Sequence, residues 1–233
     1  MNKIIKIRLW PRRMSSHNLI QRNPMQLAIF GATGRTGQHL LRQALDAGHS
    51  VTILARDPAK LPLQHDHLTI IPGSVTDPTR VEQVIAGADA VLSVLGPTHN
   101  RPTFEICQGT QAILNAMRKH RVKRLILSAG AGVGDPEDAP KLFNRLINLL
   151  LKAAARNVYA DMAKTVALVR ASDLDWTIVR VPMLTDDPKT GQVKVGMVGK
   201  GMGMRITRAD LADFMLQQLH SNRYLRRAPA ISN

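Results

Sequence analysis

One cysteine, Cys107, in 233 residues leaves no partner for an intramolecular disulfide and no set of thiolates for a zinc site. So little cysteine is compatible with a reducing compartment, and the expected location is cytoplasmic. Aromatic residues make up only 3% of the chain, too few for a surface that stacks the bases of a single strand. No apolar run approaches the ~18 residues of a membrane-spanning helix, so no transmembrane segment is expected. Internal repeats and low-complexity tracts are also missing. What the chain does have is 44% hydrophobic residues, which excludes a disordered protein. A chain of this length buries roughly 70–75% of its unfolded surface, enough for one core.

Acid is scarce as well. Lys and Arg number 32 against 17 Asp and Glu, a formal charge of +15. Residues 1–24 hold Lys3, Lys6, Arg8, Arg12, Arg13 and Arg22 and no acid. They lack a hydrophobic period and are too interrupted for a signal-peptide core. They read as an unstructured basic extension, with an organelle transit peptide as the other reading. Met25 opens the first strand, so a chain beginning there is expected to fold and bind its ligand unaided. A basic surface attracts nucleic acid, acidic lipid or a phosphorylated small molecule. The last is expected here, and nucleic acid is not, because the sequence carries a phosphate-binding signature.

From residue 25 onward, short apolar runs alternate with stretches of helical period. Strands are expected at residues 26–30, 51–55, 68–71, 88–95, 124–128, 176–181 and 193–198. Helices are expected at 34–47, 78–86, 103–120, 142–171 in two pieces, and 208–220. Strands that are apolar throughout belong to a parallel sheet covered on both faces. The expected fold is α/β, a Rossmann-like doubly wound sheet in a single domain over residues 25–233.

The strongest motif is GATGRTG at residues 31–37, which follows a strand and opens a helix, as a dinucleotide loop must. Gly31 permits the tight turn, Gly34 lets a diphosphate approach the backbone, and Gly37 lets the helix pack close to the sheet. The amides of the first helical turn then face the phosphates, and Thr33 and Thr36 add hydroxyls. The second strand ends in Arg56-Asp57. An acid in this place accepts from a ribose 2′-hydroxyl, whereas an arginine offers a fork to a 2′-phosphate. Arg56 comes first, and Arg35 and Lys60 can join it, so the expected cofactor is NADPH/NADP. Asp57 keeps the NAD reading open.

The runs QLAIFGATGRTG at 26–37, VTILAR at 51–56, AGADAV at 86–91, LILS at 125–128, DWTIVR at 175–180 and ITRADLADFM at 206–215 resemble the atypical short-chain dehydrogenase/reductase family. The stretch DDPKTG at 186–191 is similar to its flavin- and biliverdin-reducing members. By that resemblance, Gly31, Thr33, Gly34 and Thr36 fall on the phosphate loop, and Arg56 and Lys60 on the 2′-phosphate site. Ser74 and Val75 fall along the adenine, where the family commonly has Asp in place of Ser74. Leu95 and Gly96 fall near the inner ribose, and Ser128 beside the nicotinamide.

Two departures shape the expected chemistry. Tyr159 is followed four residues later by Ala163, and Lys164 comes one later. At ~100° per residue, a spacing of five turns the two side chains apart around a helix, so the Tyr-x-x-x-Lys proton relay is not supported. The flavin-reducing relatives have a histidine after the sixth strand, where this chain has Met183, a residue that lies against flat rings but transfers no proton. Hydride transfer needs orientation more than a protein acid, so the absence of the relay points to an easily reduced planar acceptor, with Ser128 orienting the nicotinamide or the acceptor and Met183 against the ring.

The expected function is therefore NADPH-dependent transfer of hydride to a flavin, quinone or tetrapyrrole-like ring. The alternative is a non-catalytic regulatory protein that senses NADP(H). A monomer or weak homodimer without a metal is expected. The Gly- and Met-rich stretch 196–204 reads either as a hairpin turn with core methionines or as an apolar flap. The basic side of residues 141–156 reads as a solvated face, with acidic lipid as the other reading.

Overall fold

A computed structural model describes residues 23–61, 63–97, 99–139 and 154–233. The basic segment before residue 23 and most of the basic helix expected at 141–156 lie outside the described residues. In chain order the strands are β1 (Gln26–Phe30), β2 (Ser50–Ala55), β3 (Leu68–Pro72), β4 (Ala90–Ser93), β5 (Arg124–Gly130), β6 (Asp175–Val181), β7 (Met183–Thr185), β8 (Lys194–Gly196), β9 (Arg205–Thr207) and β10 (Ala230–Ser232). The described helices are α1 (Arg35–Asp46), α2 (Pro78–Ile85), α3 (Glu105–Lys119), α4 (Arg156–Ala171) and α5 (Arg208–Gln217).

Eight strands form one sheet in the order β3-β2-β1-β4-β5-β6-β10-β8. All neighbours are parallel except β8, which runs antiparallel to β10. The first six places are the doubly wound order, with its reversal between β1 and β4. Side-chain alternation divides the core. Leu27 and Ile29 of β1 pack with Leu40 and Leu41 of α1 and Leu211 and Met215 of α5. Ala28 and Phe30 pack on the other face with Val84 of α2, Ile113 and Met117 of α3 and Val169 of α4. Both faces are covered, which is why the strands read as unbroken apolar runs. Each fully buried Leu or Ile contributes about 1.5–3 kcal/mol.

The expected strands, and the expected helices that fall among the described residues, stand where the periodicity placed them, with shifted ends. The strand expected at 88–95 is β4, and the helix expected from 103 begins at Glu105. Phe104 explains the second shift: at φ +52° it is left-handed and has no capping side chain. The cap comes from α4, whose buried Asp161 accepts from the amides of Ile106 (3.2 Å) and Cys107 (2.8 Å).

The stretch 196–204 is not a hairpin. Its flanking strands join different sheets, β8 pairing with β10 and β9 running parallel to β7. Three short strands, β7, β9 and β10, were not legible in the periodicity. β10 sits inside the main sheet, between β6 and β8.

Candidate functional site

The reversal of strand order opens a crevice at the carboxyl ends of β1 and β4. Gly31 turns the chain at φ +84°, and a Cβ there would lie 2.8 Å from the Val94 carbonyl oxygen. Gly34 donates to the Gly31 carbonyl (3.1 Å) and forms the N-cap of α1. That cap has no side chain to offer and the first turn holds no acid, so the positive end of the helix faces the crevice without an internal carboxylate. Gly37 is forced by packing, because a Cβ there would collide with the Gly31 carbonyl.

Around this turn lies a cleft open to solvent. Seven of the expected site residues line it together: Gly31, Thr33, Arg56, Ser74, Val75, Leu95 and Gly96. They come from the ends of four different strands. Val75 is fixed by the bare Cα of Gly109 on α3, where a Cβ would press on its methyls. Asp57 is turned into its own short helical turn, accepting from the Ala59 amide (3.2 Å) and lying 3.8 Å from Lys60.

The remaining expected residues stand apart from the cleft lining. Lys60 belongs to the exposed turn that Asp57 caps. Gly34 and Thr36 stand at the loop and first turn of α1. Arg35 meets Asp186 at 2.9 Å. Ser128 is half-buried on β5. Its neighbours Leu127 and Ala129 pack in the layer of α2, α3 and α4, so alternation turns Ser128 toward the layer of α1 and α5. Met183 opens β7 with 62% of its surface exposed, and nearby Met204 is 58% exposed. Lys164 places its ammonium 4.0 Å from the centre of the Phe104 ring, a cation–π contact that gives it a packing role on α4.

The far wall of the cleft went unread in the sequence. It comprises His99, Arg101, Thr103 and Glu105 from the segment after β4, and Asn157, Val158 and Asp161 from α4. Asn100 fastens that segment to α4: it donates to the Ala154 carbonyl (3.1 Å), and its own carbonyl accepts from Asn157 (3.1 Å). The available signal was position, since residues following β4 fall at the crevice of this fold.

A second set of bonds shapes the side of α5. Burial alone would raise the Asp210 carboxyl. Hydrogen bonds from the Thr190 amide, the Thr207 hydroxyl and the Gly191 amide outweigh burial and hold it below the ordinary carboxylate range. Asp210 thereby pins the segment after Asp186 to the start of α5. Among the described residues, no helix is long and apolar enough to cross a membrane.

The model of the NAD(P)H-binding family matches residues 31–222. The chain is 31% identical over 182 residues to the oxidoreductase aflX of Aspergillus parasiticus, covering 70% of this chain and 67% of that one. It is 32% identical over 181 residues to the chloroplastic protein At2g34460 of Arabidopsis thaliana, covering 71% and 61%. Among solved structures, a short-chain dehydrogenase/reductase from Veillonella parvula in complex with NADP superposes with a TM-score of 0.76 at 20% identity, covering 90% of this chain and 94% of that one. ChuY, an anaerobilin reductase from Escherichia coli O157:H7, gives 0.72 at 19% identity, covering 89% and 96%. At such identities the two structures speak for the fold.

Proposed function

The chain belongs to the NAD(P)H-binding family, and on that premise we propose that it is an NADPH-dependent reductase of a planar conjugated acceptor, a flavin, quinone or tetrapyrrole-like ring. One observation carries the cofactor half of this reading. Arg56, Ser74, Val75 and the glycine turn line one cleft, while Asp57, the acid that would serve a ribose 2′-hydroxyl, is spent on its own turn. A guanidinium in that place offers the planar fork that suits a 2′-phosphate. The helix α1 N-terminus and the loop amides fit the diphosphate, with Gly31, Thr33, Gly34 and Thr36 around it.

When bound, the cofactor supplies the hydride. The chain's part is orientation. Ser128 is a half-buried polar side chain of β5, two residues before its end, and is assigned to the nicotinamide side. Met183 offers an exposed, polarizable surface for a flat ring. Lys164 is engaged with Phe104 and stands five residues from Tyr159, which speaks against a tyrosine relay. An acceptor that takes hydride readily and draws its proton from water suits such a site. The name of the anaerobilin reductase neighbour supports a tetrapyrrole as one acceptor to try.

The test is the oxidation of NADPH, followed by its absorbance, with FMN, riboflavin, a benzoquinone and a linear tetrapyrrole. Turnover with at least one, lowered by Ser128→Ala, is the expected result. The second reading, a regulatory protein that senses NADP(H), draws on the absence of the relay. Tight NADPH binding with no turnover on any acceptor would establish it and refute the reductase.

A further inference from the structure

The sequence placed Arg35 with Arg56 at a 2′-phosphate, but Arg56 lines the cleft and Arg35 is bonded to Asp186. Arg35 is the first residue of α1 and Arg208 the first of α5. The two helices share the layer on one face of the sheet. Asp186, just after β7, stands between their first residues. Its Oδ1 accepts from Arg208 at 2.8 Å and its Oδ2 from Arg35 at 2.9 Å.

The three members differ in freedom. The Arg208 side chain is 9% exposed, that of Asp186 58% and that of Arg35 72%. Arg208 is therefore the anchor, Asp186 the bracket and Arg35 the arm. Strand order gives the arm its direction. β2 and β3, which lead into Arg56 and Ser74, lie to one side of β1, and β4, β5 and β6 lie to the other. Asp186 is reached from β6 through β7, so it draws Arg35 across the glycine turn, away from the adenosine side. The side chains of Ser128 and Arg35 then share the face of α1 and α5.

We propose that Asp186 is a positioning residue that aims Arg35 at the cofactor's diphosphate on its nicotinamide side, so that Arg35 serves NADH and NADPH alike and takes no part in choosing between them. This rests on the proposed dinucleotide site. The bracket also ties the segment after β7 to the glycine loop. That segment is independently fastened at Thr190 and Gly191 by Asp210, so the loss of Asp186 frees Arg35 without releasing the whole segment.

Calorimetric titration of the full chain with NADPH, NADH and 2′,5′-ADP tests this, since the last probe carries the 2′-phosphate but neither diphosphate nor nicotinamide. Arg35→Ala is expected to weaken NADPH and NADH by the same factor, about tenfold for one charge-assisted bond, and to leave 2′,5′-ADP unchanged. Asp186→Asn is expected to weaken both dinucleotides several-fold in the wild-type background and not at all in the Arg35→Ala background, with Asp186→Glu restoring affinity. An Arg35→Ala chain that loses 2′,5′-ADP and NADPH but keeps NADH overturns the proposal. So does an unchanged affinity for all three probes, or an Asp186→Asn effect of equal size in both backgrounds. A wild-type chain that binds neither dinucleotide refutes the cofactor reading itself, a different and recognisable failure. Melting curves of each variant separate unfolding from lost contacts.

Discussion

The Arg180 guanidinium, wholly buried within β6, donates to both carboxylate oxygens of Asp138 at 2.6 and 2.9 Å. Its Nε donates to the Ala228 carbonyl at 2.7 Å, and Asp138 accepts in turn from the Val198 amide at 3.0 Å. One ion pair thus joins the segment after β5, the strand β6, the turn after β8 and the approach to β10. Removing one partner leaves an unpaired buried charge, which costs about 3–5 kcal/mol.

Asp138→Ala is accordingly expected to lower the melting temperature by roughly 8–15 °C. Arg180→Met combined with Asp138→Ala is expected to recover much of that loss, because no lone charge remains. Differential scanning calorimetry of the two variants decides it. A double variant no more stable than the single one would show that the pair matters for something other than charge burial.

Acid should loosen the same region. Burial would raise the Asp138 carboxyl, but the hydrogen bonds and charge of Arg180 and the amides of Val198 and Asp135 hold it below its ordinary value of 3.8. Asp210 is held below that value by its own amides and hydroxyls. A carboxyl whose folded value is depressed contributes stability that is fully present above the unfolded value. That contribution is lost as pH falls through the folded one. Urea midpoints are expected to hold steady at neutral pH and to drop as pH falls from about 4 toward the lowered folded values. In Asp210→Asn the drop should be shallower, and an unaltered acid limb would contradict the assignment.

The glycine loop predicts a contrast between neighbours. Gly37→Ala would drive a methyl into the Gly31 backbone, whereas a Cβ at Gly34 would sit 3.4 Å from the Gly31 oxygen, an ordinary contact. Gly37→Ala is expected to fold poorly or to lose about 1–3 kcal/mol or more through overpacking. Gly34→Ala is expected to keep its melting temperature and lose cofactor affinity. Circular dichroism melts beside dinucleotide titrations distinguish the two.

On the proposed reading, charge at the end of β2 governs cofactor choice. Arg56→Glu is expected to weaken NADPH by about 10–100-fold, the loss of one or two charged hydrogen bonds, and to spare NADH. Asp57→Ala removes a cap from the exposed turn, costs about 1 kcal/mol of stability and leaves NADPH binding unaltered. Fluorescence titration with both coenzymes is the measurement. NADH binding that collapses in Asp57→Ala would return that residue to the ribose.

The legible half of the molecule is the half in which local sequence decides the structure. The run through residues 26–37 carries its own strand, turn and helix start, and the apolar strands announce a sheet covered twice. β7, β9 and β10 have three residues each, fewer than two full alternations, so no period marks them. β10 follows Arg226-Arg-Ala-Pro229 and becomes a strand only because β6 and β8 flank it. The near wall of the cleft was readable because its residues end strands. The far wall depends on α4, brought in from some fifty residues away by Asn100 and Asp161. The pairing of Arg35 was not legible because Asp186, its partner, is distant in sequence and near only in the fold.

A strand made from residues 230–232 that lies between two others sets a schedule for biosynthesis. Among the described residues β8 has no other neighbour in the sheet than β10, so this edge of the sheet stays open until translation, at about 5–20 residues per second, has delivered residues 230–232. Until then the growing polypeptide exposes the free flank of β6, and nascent chains stalled short of this point should be preferred clients of chaperones.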